Sequence, residues 1–171
     1  MQKNNYKNNT GFSLIEMIIY VAIFGMIVIT FVSFSNSMTT TRLHNQAILE
    51  VNDQGEKIMK TITQTIRNSS SVNSPTIGNN ASSLSLVMYT TFTDPTVFSL
   101  NNGVLYIKEA LGNQVALTNN KVIVSNLTFS NFSRVSTPNI IKISFTITNA
   151  NPSGMSGTYS FTFNGSAQLR K

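Results

Sequence analysis

The sequence predicts an α+β protein in which a long N-terminal helix, apolar in its first half, packs on an antiparallel β-sheet domain. Three observations lead to this prediction. Residues 12–34 are an almost uninterrupted apolar run, no proline precedes Pro75, and the second half of the chain contains segments in which apolar and polar residues alternate. The first two features permit one continuous helix, and the third is typical of strands with one buried face.

The apolar run at residues 12–34 predicts a transmembrane helix. As a helix it would extend about 35 Å, which matches the hydrocarbon core of a bilayer. Lys3 and Lys7 precede it, so we expect the N-terminus on the cytoplasmic side and the following domain outside. A cleavable secretory signal fits less well, because the apolar core of such signals is usually only about 7–15 residues long.

A short motif stands at the head of this run. Residues 11–16 read G-F-S-L-I-E, follow a short basic leader, and place one acid, Glu16, inside the apolar run. The arrangement resembles the prepilin signal of the type IV pilin superfamily over roughly residues 3–34. The resemblance implies a prepilin peptidase that cuts between Gly11 and Phe12 and methylates the new N-terminus at Phe12. It also implies assembly with other pilin or pseudopilin subunits.

Glu16 needs an energetic explanation, since a charge at the centre of a membrane helix costs about 2.5–3.5 kcal/mol, and less near the ends. The next charged residue after it is Arg42, about 39 Å farther along a helix. The resemblance implies a partner in the amine of Phe12 on a neighbouring subunit, which exists only after cleavage. The alternative is a polar residue tolerated at the membrane edge.

Residues 35–67 are predicted to continue the helix as an amphipathic segment. One apolar stripe at helical spacing consists of Leu43, Ala47, Val51, Gly55, Ile58, Ile62 and Ile66, flanked by Ile48 and Met59. This stripe is expected to cover the sheet, and Gly55 is expected to permit the close approach of a strand.

Two further features of this segment lead to expectations. Asp53–Lys57 and Glu56–Lys60 have an acid four residues before a base, the order that favours pairing on a helix, and these charges are expected to form a solvated face. Three consecutive threonines at residues 39–41 are a weak point, because β-branched hydroxyl residues lower helix propensity.

Residues 68–83 are predicted to be a loop, because they are rich in serine and asparagine. Strands are predicted at Leu84–Thr91, Thr96–Leu100, Val104–Glu109, Val115–Leu117, Val122–Phe132, Ile140–Thr148 and Thr158–Gln168. Asn102-Gly103 predicts a hairpin turn.

Strict alternation of apolar residues marks the last two strands and predicts that each has one face packed on the helix. The apolar positions are Ile141, Ile143, Phe145 and Ile147 in one strand and Tyr159, Phe161 and Phe163 in the other. Residues 149–157 are predicted to join them as a long hairpin loop.

The composition excludes several kinds of chemistry. The chain has no cysteine and one histidine, His44, so disulfides, thiol catalysis and a Cys/His zinc site are excluded. Asp94 and Glu109 are too isolated to indicate a catalytic carboxylate pair. We therefore expect no enzyme activity, no metal and no cofactor, with His44 at the surface.

The predicted organisation has four parts: a cleaved leader at 1–11, a transmembrane helix at 12–34, its amphipathic continuation at 35–67, and an extracytoplasmic β-rich domain at 68–171. Major pilins commonly close a C-terminal loop with a disulfide, which this chain cannot form. Its ending, YSFTFNGSAQLRK, resembles the J-type minor pseudopilins of type II secretion. A minor subunit of a type IV pilus or a secretion pseudopilus is therefore expected ahead of a major subunit.

Two other functions remain open. A membrane-anchored extracellular adhesin or binding module would have the same anchor, but it would need neither Gly11 nor Glu16. A role in DNA uptake has only the net positive charge of residues 68–171 in its favour, and these bases are scattered along the sequence, as expected of a solvated surface. Membrane lipid is an expected partner of residues 12–34.

Overall fold

The computed structural model describes residues 11–134, 137–150 and 158–170. Within these ranges one long helix is followed by nine strands. Apart from Gly11, the leader predicted at residues 1–11 lies outside the described ranges, and so does most of the hairpin loop predicted at residues 149–157.

Helix α1 runs without interruption from Leu14 to Arg67. The predicted helix covered residues 12–67, so the observed helix begins two residues later than predicted. The first carbonyl that accepts a helical hydrogen bond is that of Ser13, which accepts from the backbone N–H groups of Glu16 and Met17 at 3.1 and 3.2 Å. The predicted weak point at residues 39–41 remains helical. Its three threonine hydroxyls donate to backbone carbonyls three or four residues earlier, at 2.9–3.1 Å.

The chain divides into two compact units, Met1–Thr41 and Arg42–Lys171. The described part of the first unit is the N-terminal portion of α1 with the three residues that precede it. The second unit contains the remainder of α1 and every strand.

Two antiparallel sheets form in the second unit. Their strands are β1 (Ser69–Ser74), β2 (Asn80–Ala81), β3 (Leu84–Met88), β4 (Thr96–Asn101), β5 (Val104–Glu109), β6 (Val115–Ala116), β7 (Val122–Asn131), β8 (Ile140–Asn149) and β9 (Ser160–Gln168). The five-stranded sheet has the order β1-β3-β4-β5-β6, and the four-stranded sheet has the order β2-β7-β8-β9. The fold class is therefore the predicted one, a long helix with antiparallel β-structure.

The loop prediction for residues 68–83 was wrong, because β1 and β2 lie within it. β1 pairs with β3 through an irregular register, and the Ser70 hydroxyl donates to the Val87 carbonyl at 3.0 Å. β2 extends the other sheet by pairing with β7. Their polar sequences lack the alternation of apolar and polar residues by which the other strands were predicted.

The predicted turn at Asn102-Gly103 is present and joins β4 to β5. Both residues have positive φ, 48° and 78°, as two-residue hairpin turns require. The Gly103 carbonyl also accepts from the Val124 N–H at 2.8 Å, and a Cβ at Gly103 would lie 2.7 Å from a methyl carbon of Ile123. This turn therefore connects the five-stranded sheet to β7 of the other sheet.

The amphipathic stripe of α1 forms one side of the core, as predicted. Its residues Ala47, Val51, Gly55, Ile58, Ile62 and Ile66 are buried, and Leu43 is half-buried. Gly55 admits the Phe163 ring of β9, which would overlap a Cβ at that position. In return, Gly165 of β9 admits Met59, whose sulfur would lie 2.6 Å from a Cβ there. Helix and strand thus interlock through two glycines.

The alternation predicted for the last two strands is correct for β8, in which the four predicted apolar positions, Ile141, Ile143, Phe145 and Ile147, are all fully buried. It is only partly correct for β9. Phe161 lies opposite Ile147 but is 47% exposed. Because β9 is the edge of its sheet, Phe161 has a neighbouring strand on one side only. Its ring packs edge-on against Phe163, with the ring centroids 4.9 Å apart.

Asp53 and Glu56 form no ion pair with Lys57 or Lys60, as expected of a solvated face; in the part of the chain that the structure describes, the ion pair is Glu50–Lys121 at 3.8 Å. Holding two long exposed side chains together costs rotamer entropy, which explains why the helical pairs stay apart. Glu50 also accepts a hydrogen bond from the Asn119 amide at 2.6 Å.

Candidate functional site

The junction between Gly11 and Phe12 lies outside the helix. Gly11, Phe12 and Ser13 have no regular secondary structure, and all three are exposed. The Phe12 side chain is 72% exposed. Helical hydrogen bonding begins only at the Ser13 carbonyl, so a protease could engage the Gly11–Phe12 peptide bond without unwinding a turn of helix.

The fold itself does not require glycine at position 11. A Cβ added there would meet no atom within 4 Å, and the same holds for Gly25 inside the apolar run. Gly55 and Gly165 differ, since packing between α1 and β9 leaves no room for a side chain at either position.

Glu16 lies in the first turn of α1 and is half-buried. A carboxylate there complements the partial positive charge of a helix N-terminus, an effect of about 0.3–1 kcal/mol at exposed sites. Its Oε1 atom lies 3.5 Å from the Tyr20 hydroxyl, at the limit of a hydrogen bond. The Phe12 ring packs edge-on against Tyr20, with 6.2 Å between ring centroids.

Phe12, Glu16 and Tyr20 therefore share one face of the N-terminal segment. Tyr20 was not among the site residues predicted from the sequence. Its position four residues after Glu16 could have indicated the contact, because side chains at this spacing are neighbours on a helix. The contact is weak and exposed, so it leaves the carboxylate available to another partner.

The segment that follows has no charge and no cover. No charged residue occurs between Glu16 and Arg42. Among the described residues, α1 is the one helix long and apolar enough to cross a membrane, and none of its most apolar stretch is buried within the chain.

The single histidine of the chain, His44, lies on the surface. His44 is exposed, as predicted, and its ring lies edge-on to Tyr159 with 6.4 Å between centroids. The described ranges contain no group of three or more His, Cys, Asp or Glu side chains that could hold a metal ion.

Comparison with known proteins identifies the N-terminal segment. Residues 6–32 match the family model described as the prokaryotic N-terminal methylation motif. No curated protein and no solved structure matches the chain. The chain therefore carries a prepilin signal of the type IV pilin kind, and its long helix with antiparallel sheets is a pilin-like architecture.

Proposed function

We propose that this chain is the precursor of a filament subunit that is inserted in a membrane, cleaved and methylated, and then assembled through the apolar part of α1. One observation carries the proposal. The N-terminal methylation motif at residues 6–32 overlaps the most apolar stretch of α1, none of which is buried among the residues that the structure describes. A processing signal and an assembly surface thus occupy the same segment.

The proposed arrangement in the membrane follows from the distribution of charge. Lys3 and Lys7 lie on the short N-terminal side of the apolar run, and Arg42 is the first base after it. The positive-inside rule then places the N-terminus in the cytoplasm and the β-domain outside. The proposal has the four parts predicted from the sequence: a leader at 1–11, a transmembrane helix at 12–34, its amphipathic continuation at 35–67 and an outer β-domain at 68–171.

Processing is proposed to occur between Gly11 and Phe12, with N-methylation of Phe12. The exposed, non-helical geometry of this junction supports the site, because the peptide bond is accessible and its hydrolysis removes no helical hydrogen bond. Cleavage also creates an ammonium group close to the helix N-terminus. That end of a helix is already partly positive, so the new charge needs an anion nearby.

Glu16 is proposed to supply that anion to a neighbouring subunit. In a bundle of such helices lipid and water are largely excluded, and an uncompensated charge is costly there. Pairing Glu16 with the Phe12 ammonium of the next subunit compensates both charges. Because the pair forms at one relative height of the two helices, it also fixes their axial register.

A finer proposal concerns whether this chain is a minor or a major subunit of the filament. We assign the chain to the minor pilins or pseudopilins, because it lacks the cysteines that commonly close the C-terminal loop of major pilins and because its last residues resemble the J-type pseudopilins. Counting copies of this subunit per purified filament distinguishes a minor from a major subunit.

The mass of the mature protein tests the proposed function. Full-length chain expressed with a prepilin peptidase should lose residues 1–11 and begin at N-methylated Phe12, as read by intact mass and N-terminal sequencing of membrane-derived protein. Protein that retains residues 1–11 would contradict the proposal and would instead fit an anchored adhesin. Protein that starts near Met38 would indicate a cleaved secretory signal.

A further inference from the structure

An open cleft of about 910 Å³ lies where the last turn of α1 meets β9. The side chains that give it chemical character are Gln64, Arg67, Asn68, Ser166, Gln168 and Arg170. Its volume lies within the range of small-molecule sites in proteins, which is about 300–1,000 Å³. None of its lining residues is acidic.

The backbone brings the two arginines of the cleft together. The Arg170 N–H donates to the Arg67 carbonyl at 3.3 Å, so residues far apart in the sequence become neighbours. Both side chains are exposed. In the part of the chain that the structure describes, neither guanidinium group takes part in an ion pair or a hydrogen bond.

The end of the helix does not need these guanidinium groups. The Asn68 N–H lies 3.0 Å from the Gln64 carbonyl and 3.2 Å from the Thr65 carbonyl. The Ser69 hydroxyl donates to the Ile66 carbonyl at 2.7 Å. The last carbonyls of α1 therefore have other donors, and both arginine side chains remain available to a ligand.

Two lysines lie on the elements beside the cleft. Lys142 of β8 lies opposite Ser166 in the sheet, so both project from the same face. Lys60 precedes Gln64 by one helical turn, and both residues are exposed. The nearest acid along this helix face, Glu56, is two turns before Gln64. Neither lysine lines the cleft, so the positive charge in its lining comes from the two arginines.

We propose that this cleft binds a phosphate group carried by a ligand. A guanidinium fork can donate two parallel hydrogen bonds to a phosphate, and two forks suit an anion with two or three free oxygens and one or two negative charges. The amides of Gln64, Asn68 and Gln168 and the Ser166 hydroxyl supply further donors to the remainder of the ligand. The phosphate belongs either to a small phosphate monoester or to a phosphodiester polymer.

Calorimetric titration of the full-length chain in an uncharged detergent tests this proposal, with glucose 6-phosphate and an oligothymidylate as the two probes. We expect at least one probe to bind at 50 mM salt. Arg67→Gln and Arg170→Gln should each weaken that binding about tenfold or more, since each removes a charge-assisted hydrogen-bond pair. Tighter binding of glucose 6-phosphate would identify a monoester, and tighter binding of the oligothymidylate would identify a polymer.

Lys108→Gln is the matched control, because it removes the same charge from β5 in the other sheet. It should change the affinity less than about twofold, as expected of a charge screened by salt. An equal loss in Lys108→Gln and the arginine variants would show non-specific attraction and overturn the proposal. Absence of binding by the unmodified chain at millimolar concentrations of both probes would also overturn it.

Discussion

At the residue scale, Gly11 and Gly55 differ in the space that the fold leaves for a side chain. A side chain at Gly55 would overlap the Phe163 ring, whereas a side chain at Gly11 would meet nothing within the chain. Substitutions at the two positions should therefore have separate consequences. Changes at Gly11 should affect processing and leave the fold intact, and changes at Gly55 should affect the fold.

The first prediction concerns Gly11. Gly11→Ala should slow cleavage modestly and Gly11→Leu should block it, because the peptidase must accommodate the new side chain. Gly25→Leu is the matched control, since position 25 also has open space around it and lies on the far side of the cleavage junction. The measurement is the fraction of mature chain by intact mass after co-expression with the peptidase. Normal cleavage of Gly11→Leu would show that the peptidase does not require a small residue at this position.

The second prediction concerns the contact between Gly55 and Phe163. Gly55→Leu should lower the free energy of unfolding by about 1–3 kcal/mol or more, the usual cost of overpacking a core. Phe163→Ala in the same chain should recover part of that loss, because it removes the ring that the new side chain strikes. Denaturant unfolding of both single variants and the double variant measures the coupling. Simple additivity of the two effects would contradict the packing described here.

At the element scale, the two parts of α1 have different environments. Its first part presents exposed apolar side chains, and its second part buries a single stripe against the sheets. The stripe was predictable, because apolar residues at helical spacing must cover an apolar surface of similar width. The strands β1 and β2 were not, since a run of serines and asparagines gives no periodic signal and only the neighbouring strand supplies the hydrogen bonds.

The candidate sites also include residues that the sequence predicts and residues that only the folded chain brings together. The methylation motif identified Gly11, Phe12 and Glu16 as candidates, and local chemistry alone was sufficient for that. The partial burial of Phe161 and the convergence of Arg67 with Arg170 depend on which strand forms the sheet edge and where the helix ends. Those are properties of the folded chain, so no local pattern reports them.

The third prediction tests the stripe. Ile58→Ala and Ile62→Ala should each lower the free energy of unfolding by about 2–5 kcal/mol, as expected for a fully buried isoleucine truncated to alanine. Lys57→Ala is the control on the exposed face and should change it by less than about 0.5 kcal/mol. Chemical denaturation followed by circular dichroism provides the comparison. A cost below about 1 kcal/mol at both isoleucines would mean that the stripe is not buried as described.

At the scale of the whole molecule, the unit Arg42–Lys171 contains the amphipathic part of α1 and all strands. Its core includes residues of both, such as Val51 and Ile58 from the helix and Phe145 from β8. The helix therefore belongs to the core of this unit, and the sheets should not be stable without it.

The fourth prediction compares two fragments. Residues 42–171 should be soluble and monomeric and should unfold cooperatively on heating. Residues 68–171 lack the helix, so the buried apolar face around Phe145 becomes exposed and the fragment should aggregate. Light scattering and thermal melts distinguish the two. Equal stability of the fragments would contradict the role assigned to the helix.

The most direct test of the account is the recruitment of Glu16→Leu into filaments, measured as the amount of subunit in sheared filaments relative to the membrane. Tyr20→Phe is the control, because it removes only the 3.5 Å contact to Glu16 and keeps the carboxylate. Both variants should be cleaved and inserted normally, Tyr20→Phe should be incorporated like the unmodified chain, and Glu16→Leu should be depleted from filaments. Incorporation of Glu16→Leu at the level of the unmodified chain would contradict the proposed role of Glu16 in assembly.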